Sequence, residues 1–173
     1  MSVGDSGAPL GLLLLEDSPA DSRLLMESLR ERVNDGTVVI QTVRCLADAL
    51  RELKRFRFSC VLVDLGLPDG EGVATVSRIR EADDAIAIVV LTGLADQRAA
   101  DEAFRLGAQD YLIKGERLGN ELLEFVQKAI DKRPGGHGSQ RPSSGEPPAL
   151  AAPRFQPWVY FGRGAFVGVH CGW

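Results

Sequence analysis

The sequence has no apolar run long enough to cross a bilayer and no cysteine pairs that would suggest a disulfide framework. Its longest apolar runs are Leu12–Leu15 and Ala85–Leu91, whereas a membrane-spanning helix needs about 20 apolar residues. The three cysteines form no Cys-x-x-Cys pair and leave an odd number. No signal-peptide pattern precedes the first apolar run. We therefore expect a soluble protein of the reducing cytoplasm.

Strong positive charge and nucleotide-binding motifs are also missing. The 173-residue chain has a formal net charge of −4 at pH 7, which argues against direct nucleic-acid binding. It contains no Gly-x-x-x-x-Gly-Lys phosphate-binding loop. Its two histidines, His137 and His170, have no partners at metal-ligand spacing. With these sites excluded, the carboxylates are the candidate functional groups.

Between residues 10 and 133, short apolar runs alternate with amphipathic stretches. The runs that predict strands are Leu12–Leu15, Val38–Ile40, Cys60–Val63, Ile86–Leu91 and Tyr111–Ile113. A stretch with helical spacing of apolar residues follows each run. Because the runs are mostly apolar throughout rather than alternating, the strands should be covered on both faces. The pattern predicts a doubly wound α/β fold, with a five-stranded parallel sheet between layers of five helices.

Residues 134–173 have a different composition. These 40 residues include eight glycines and six prolines, against 11 and three in the preceding 133. We predict a domain over 10–133, a flexible Pro/Gly/Ser-rich linker over 134–153 and a disordered aromatic tail over 154–173. The tail could be a docking peptide, the start of a further segment or unselected sequence, and its residues do not decide between these.

Polar groups follow four of the five predicted strands. Glu16 and Asp17 follow the first strand, Asp64 the third, Thr92 the fourth and Lys114 the fifth. The carboxyl ends of parallel strands share one edge of the sheet, where ligands bind in open α/β folds. Each residue alone has an ordinary explanation as a helix-start acid, turn residue or surface lysine. Their joint occurrence predicts a functional site.

This set of groups suits phosphoryl transfer to a carboxylate. Clustered carboxylates need a cation to be ionised together, and ligation by oxygen alone favours Mg²⁺. Asp64 is the candidate nucleophile, which would become an aspartyl phosphate. Lys114 and Thr92 would then balance or hydrogen-bond the phosphoryl oxygens.

Four segments resemble the signature stretches of receiver domains from two-component response regulators: LLLLEDSPADSRLL, VLVDLGLPDGEG, VVLTGLADQ and GAQDYLIKG. They occur in the family's order and cover about residues 10–132. The resemblance implies a flavodoxin-like strand order, 2-1-3-4-5, and makes Asp64 the phosphoacceptor. It implies that Glu16, Asp17, Asp64 and the backbone carbonyl of Gly66 hold Mg²⁺, with Asp17 a more direct ligand than Glu16.

The resemblance also implies roles outside the acidic residues. Thr92 and Lys114 would contact the phosphoryl group, and Tyr111 matches the family's switch aromatic, although it could simply pack at the sheet edge. Leu94 occupies a position that tunes hydrolysis of the aspartyl phosphate, and a leucine offers an attacking water no hydrogen bond. We therefore expect a long-lived phosphorylated state. One departure is Gly115, where the family commonly has a cis-linked proline; glycine still lets the loop place the lysine.

The sequence thus predicts a signalling switch rather than an enzyme, with autohydrolysis as its only intrinsic reaction. A sensor histidine kinase or histidine phosphotransfer protein would phosphorylate Asp64. The response would change protein contacts at the face of the fourth predicted helix, fifth strand and fifth helix, with homodimerisation as a further hypothesis. The alternative is a Mg²⁺-dependent phosphohydrolase with an aspartyl nucleophile. It needs a second acid, for which Asp69 is the nearby candidate, and a cap insertion that the sequence lacks.

Overall fold

The computed structural model describes residues 9–70, 72–93, 95–115 and 118–134, with only the backbone of 118–120. Its strands are β1 (Leu10–Leu15), β2 (Val38–Val43), β3 (Cys60–Asp64), β4 (Ala87–Thr92) and β5 (Asp110–Ile113). Its helices are α1 (Pro19–Ser28), α2 (Arg30–Asn34), α3 (Leu46–Arg55), α4 (Ala74–Ala82), α5 (Gln97–Arg105) and α6 (Leu118–Lys132). The predicted linker beyond Pro134, the tail and Leu94 lie outside the described residues.

The five strands form one parallel sheet in the order β2-β1-β3-β4-β5. The predicted doubly wound fold and strand order are therefore confirmed. The chain leaves β1 toward β2 on one side and then returns to β3 on the other. This reversal creates a crevice at the carboxyl ends of β1 and β3, where open α/β folds bind ligands.

Both faces of the sheet are covered, and β1 shows why its run is apolar throughout. Leu12 and Leu14 belong to the core cluster that packs against α1 and α6. Leu13 and Leu15 belong to the opposite cluster, which packs against α3, α4 and α5. All four side chains are fully buried. Burial of such a side chain stabilises the fold by about 1.5–3 kcal/mol, which fixes the strand ends that position the polar groups.

The first predicted helix is divided into α1 and α2 at Leu29. The Leu29 amide is shared between the carbonyl oxygens of Leu25 at 3.2 Å and Met26 at 3.3 Å. The hydroxyl of Ser28 donates to the Leu25 carbonyl at 2.7 Å. This side-chain hydrogen bond competes with the regular helical pattern. The described residues thus contain one helix more than predicted. The break was not predicted because the apolar residues keep their helical spacing across it.

Within the described ranges, every helix is either too short or too polar to span a membrane.

Candidate functional site

The carboxyl ends of β1, β3 and β5 bring two acids and a lysine into direct contact. Glu16 follows β1, Asp64 ends β3 and Lys114 follows β5. The Nζ atom of Lys114 lies 2.5 Å from Oε2 of Glu16 and 2.8 Å from Oδ2 of Asp64. Residues separated by 98 and 50 positions in sequence therefore meet at one sheet edge.

Glu16 is the fully buried acid of the site. Its side chain is 0% exposed, its Oε2 accepts from Lys114, and its Oε1 accepts the Ser18 amide hydrogen at 3.0 Å. Burial raises the pKa of Glu16, and the hydrogen bonds from Lys114 and Ser18 oppose that rise only in part. Burial of this carboxylate without a cationic partner would be costly, so Glu16 depends on the lysine or on another cation.

Asp64 is held by two hydrogen bonds, one to each carboxylate oxygen. Its Oδ1 accepts the amide hydrogen of Gly66 at 3.1 Å, and its Oδ2 accepts from Lys114. Burial alone would raise the pKa of Asp64, but the Lys114 and Gly66 hydrogen bonds and the lysine's charge outweigh it and lower the pKa. Asp64 is consequently a carboxylate, the form required of a nucleophile.

Lys114 is held in its cationic form at neutral pH. Burial lowers its pKa, but hydrogen bonds to three carboxylates, including those of Asp64 and Glu16, raise it by more. Its backbone is also fixed, because its amide donates to the Thr92 carbonyl at 2.7 Å. No described peptide bond is cis, so the lysine reaches the acids with Gly115 in a trans linkage.

Asp17 completes an acidic trio with Glu16 and Asp64. Each contributes one carboxylate oxygen, and the three oxygens lie within 4.8 Å of one another. An all-oxygen donor set of this kind fits a hard divalent cation such as Mg²⁺. Lys114 contacts two of the three acids in this structure, so a cation and the ammonium would share the same carboxylates.

The remaining predicted residues lie near this edge or on the neighbouring strand. Thr92 ends β4, adjacent to the strand of Asp64, and is half-buried. Tyr111 lies in β5 opposite Val90 and packs, half-buried, against the core cluster on the α3–α5 side. Leu94 lies outside the described residues, so its expected role stays a prediction.

Asp21 is a site residue that the sequence did not predict. Its Oδ2 lies 2.8 Å from Nζ of Lys114, and its side chain is 39% exposed. The sequence indicated only an acid in the first turn of a helix. Because helical side chains tilt toward the helix N-terminus, an acid in the first turn of α1 projects back toward the edge where β1 ends. This tilt was the signal by which Asp21 could have been predicted to lie near the site.

Asp69 lies in the loop after β3 but serves another element. Its Oδ1 accepts the Leu46 amide hydrogen at 2.9 Å, and its Oδ2 accepts the Ala47 amide hydrogen at 3.2 Å. These are unpaired amides at the start of α3, which a carboxylate caps favourably. The candidate second acid of a phosphohydrolase is therefore engaged as a helix cap.

Comparison with known proteins agrees with this architecture. The family model described as response regulator receiver domain matches residues 12–127. The transcriptional regulatory protein DpiA of Escherichia coli (strain K12) is 33% identical over 124 residues, which cover 70% of this chain and 54% of DpiA. The chain thus spans about half the length of that relative.

Two solved structures share the fold. A putative response regulator from Chloroflexus aurantiacus J-10-fl has a TM-score of 0.63 at 24% identity, covering 72% of this chain and 99% of its own. A response regulator protein from Burkholderia pseudomallei was solved with a phosphorylated aspartic acid, calcium ion and citrate. It has a TM-score of 0.61 at 23% identity, and the match covers 70% of this chain and 69% of the other. Since the family match extends over more than half of the sequence, this chain belongs to the response regulator receiver domain family.

Proposed function

We propose that Asp64 is the phosphoacceptor of this receiver domain, and that a sensor histidine kinase or histidine phosphotransfer protein is its donor. Receiver domains of response regulators are signalling switches, and the chain belongs to that family. The observation that carries the proposal is the ion pair of 2.8 Å between Asp64 and Lys114 at the carboxyl edge of the sheet. It supplies a nucleophilic carboxylate beside a fixed positive charge.

In the proposed step, an Asp64 carboxylate oxygen attacks the phosphorus of a phosphohistidine. The P–O bond forms as the P–N bond breaks, and the imidazole leaves with the electron pair of that bond, neutral when its other nitrogen carries a proton. The ammonium of Lys114 and the hydroxyl of Thr92 would then balance and hydrogen-bond the equatorial phosphoryl oxygens. The same carboxyl–phosphate bond would later be hydrolysed as the domain's only intrinsic reaction.

Glu16, Asp17, Asp64 and the Gly66 carbonyl would hold Mg²⁺. The compact oxygen cluster supports this assignment, with Asp17 as the more direct ligand of the two leading acids. When bound, Mg²⁺ supplies positive charge that neutralises the acids and the transferred phosphoryl group. Lys114 is already close to Asp64 and would need only a side-chain adjustment to contact the new phosphate.

The output would be a change of protein contacts at the α5–β5–α6 face, formed by Gln97–Arg105, Asp110–Ile113 and Leu118–Lys132. Phosphorylation would shift an existing conformational equilibrium, with Tyr111 moving inward as Thr92 approaches the phosphate. Leu94 would keep the phosphorylated state long-lived. We place this activity in the cytoplasm, in a receiver over 10–133 followed by a linker over 134–153 and a tail over 154–173. A downstream protein or a second copy of the chain would be the partner.

The phosphohydrolase alternative gains no support from the described residues. Such an enzyme needs a second acid to protonate its leaving group and activate water. The candidate, Asp69, binds two amides of α3 instead. A switch with a single reactive carboxylate accounts for the site more simply.

The test is intact-mass spectrometry of the full chain after incubation with Mg²⁺ and acetyl phosphate. We expect a single-phosphate adduct in the wild type, its loss in Asp64→Asn, and its loss when EDTA is present. Asp69→Asn is the matched control, because the asparagine oxygen can still accept one of the two α3 amide hydrogens and the carboxylate there has no proposed role. An adduct of equal size in Asp64→Asn would show that another residue accepts the phosphate.

A further inference from the structure

Lys114 has a third acidic partner that lies outside the acidic trio. The trio consists of Glu16, Asp17 and Asp64, and Lys114 contacts two of its members. Its third contact is to Oδ2 of Asp21, at 2.8 Å, in the first turn of α1. Among the described residues, Asp21 is thus the one carboxylate that binds the ammonium without belonging to the candidate cation site.

In this arrangement Lys114 and a divalent cation compete for the carboxylates of the trio, and Asp21 affects the outcome because it also binds Lys114. A divalent cation bound by the trio would compete with Lys114 for the negative charge of two carboxylates, those of Glu16 and Asp64. Binding of the cation would therefore weaken the attraction of these two carboxylates for the ammonium. Lys114 is only 17% exposed, so water alone would replace its weakened ion pairs poorly. A carboxylate that stays bound to the ammonium would stabilise its charge better.

We propose that Asp21 is a positioning residue that retains Lys114 while the trio binds Mg²⁺, and that it thereby strengthens Mg²⁺ binding. The inference rests on the proposed function, since it takes the trio as the cation site. Loss of the Asp21 charge should weaken Mg²⁺ binding for two reasons. Among the described residues, it leaves Lys114 with two carboxylate partners, Glu16 and Asp64, both of which belong to the trio, so competition with the cation increases. It also makes the electrostatic potential at the site less negative.

The first experiment compares the Mg²⁺ affinity of the full-length wild type and Asp21→Asn by isothermal titration calorimetry. We expect binding to weaken about 3- to 5-fold, the range for a partly exposed ion pair. Glu27→Gln is the matched control, because Glu27 lies on the same helix, is exposed and pairs with Arg30 at 3.2 Å. That control should change the affinity by less than about 1.5-fold, since its charge is exposed and screened.

A double-mutant cycle separates retention of Lys114 from a simple loss of negative charge. If Asp21 acts through Lys114, adding Asp21→Asn to Lys114→Met should have much less effect on Mg²⁺ affinity than it has in the wild type. An undiminished effect in the Lys114→Met background would overturn the proposal. Circular dichroism would verify that each variant remains folded.

A second readout follows the ammonium itself. In ¹H–¹⁵N spectra of the Lys114 side chain, a retained ion pair should keep the NH₃⁺ signal visible at saturating Mg²⁺ in the wild type. The signal should broaden or disappear in Asp21→Asn, because the ammonium then exchanges with water. Identical spectra in both proteins would contradict retention by Asp21.

The outcomes distinguish this inference from the proposed function. Normal phosphorylation of Asp64 with unchanged Mg²⁺ affinity in Asp21→Asn overturns the inference alone. Mg²⁺ binding that depends on Asp21 through Lys114, but without any phosphate adduct on Asp64, supports the inference and overturns the phosphoacceptor assignment. A wild type that binds no Mg²⁺ overturns both.

Discussion

Gly66 lies beside Asp64, the proposed phosphoacceptor, and a side chain at Gly66 would occupy space next to both carboxylate oxygens. A Cβ atom at this position would lie 3.6 Å from both carboxylate oxygens of Asp64. That is ordinary contact for the unmodified acid, but a phosphoryl group would add three oxygens in the same region. The backbone at Gly66 is outside the left-handed region, so a side chain would not strain the fold itself.

We therefore predict that Gly66→Ala slows phosphorylation of Asp64 by about 10-fold while leaving stability nearly unchanged, because the methyl group misplaces the incoming phosphoryl group. The rate of adduct formation with acetyl phosphate, followed by intact mass, and the urea midpoint would measure the two effects. Gly115→Ala is the control, since a Cβ there would lie within 4 Å of no atom from the other described residues, its chain neighbours aside. Equal phosphorylation rates in Gly66→Ala and the wild type would contradict the prediction.

Sequence reasoning found the central residues of the site but missed one of their partners. Glu16, Asp64 and Lys114 could be grouped because each follows or ends an apolar run, and the carboxyl ends of parallel strands share an edge. Asp21 contacts Lys114 across 93 positions of sequence. That contact depends on where α1 begins relative to the end of β5, which the spacing of apolar residues does not determine.

At the scale of secondary-structure elements, the apolar pattern predicts strands that are apolar throughout, and it misses polar strand ends and helix breaks. Cys60–Val63 was predicted as a strand and differs from β3 by one residue. By contrast, β2 was predicted to end at Ile40 but continues to Val43. Among the described strands, β2 pairs with β1 alone and lies at the edge of the sheet. Its end can therefore contain polar residues, and the apolar run stops before the strand does. One of them, Gln41, donates to Oε2 of Glu52 on α3 at 2.8 Å.

Arg80 joins three elements at the opposite edge of the sheet from the site. Its guanidinium donates to the carbonyl oxygens of Ile86 at 2.7 Å, Asp84 at 2.9 Å and Gly107 at 2.8 Å. It also donates to the side-chain oxygen of Gln109 at 3.2 Å. The end of α4 is thereby tied to the segments that enter β4 and β5.

We predict that Arg80→Met lowers the free energy of unfolding by about 2–3 kcal/mol, because several partly buried carbonyl groups lose their donor. Guanidinium unfolding followed by circular dichroism would measure the change. Arg78→Met is the control on the same helix: Arg78 is 58% exposed and lies 3.9 Å from Glu81, so the loss should stay below about 0.5 kcal/mol. Similar losses in the two variants would mean that the Arg80 hydrogen bonds add no net stability.

At the scale of the whole molecule, exposed apolar side chains indicate where a partner would bind. Large ones in the described residues are Leu24, 71% exposed, Phe104, 46% exposed, and Ile113, 51% exposed. Single exposed apolar residues are common. Phe104 and Ile113, however, lie on α5 and β5, two elements of the face proposed to respond to phosphorylation, whereas Leu24 lies on α1. Apolar area at that face would favour association once the switch is set.

We predict that phosphorylation, or its mimic beryllofluoride with Mg²⁺, drives dimerisation through the α5–β5–α6 face. Replacing both Phe104 and Ile113 with serine should weaken the dimer by at least about 10-fold, because each side chain contributes more than 1 kcal/mol when it is buried. Analytical ultracentrifugation of the activated full chain would measure the dissociation constant of the dimer.

Leu24→Ser is the control. It removes the most exposed of the three apolar side chains from a different surface and should leave the dimer intact. If Leu24→Ser disrupts the dimer and the double variant does not, the interface lies at α1. If the activated wild type stays monomeric, the homodimer is wrong, and the partner of the α5–β5–α6 face must be sought among other proteins.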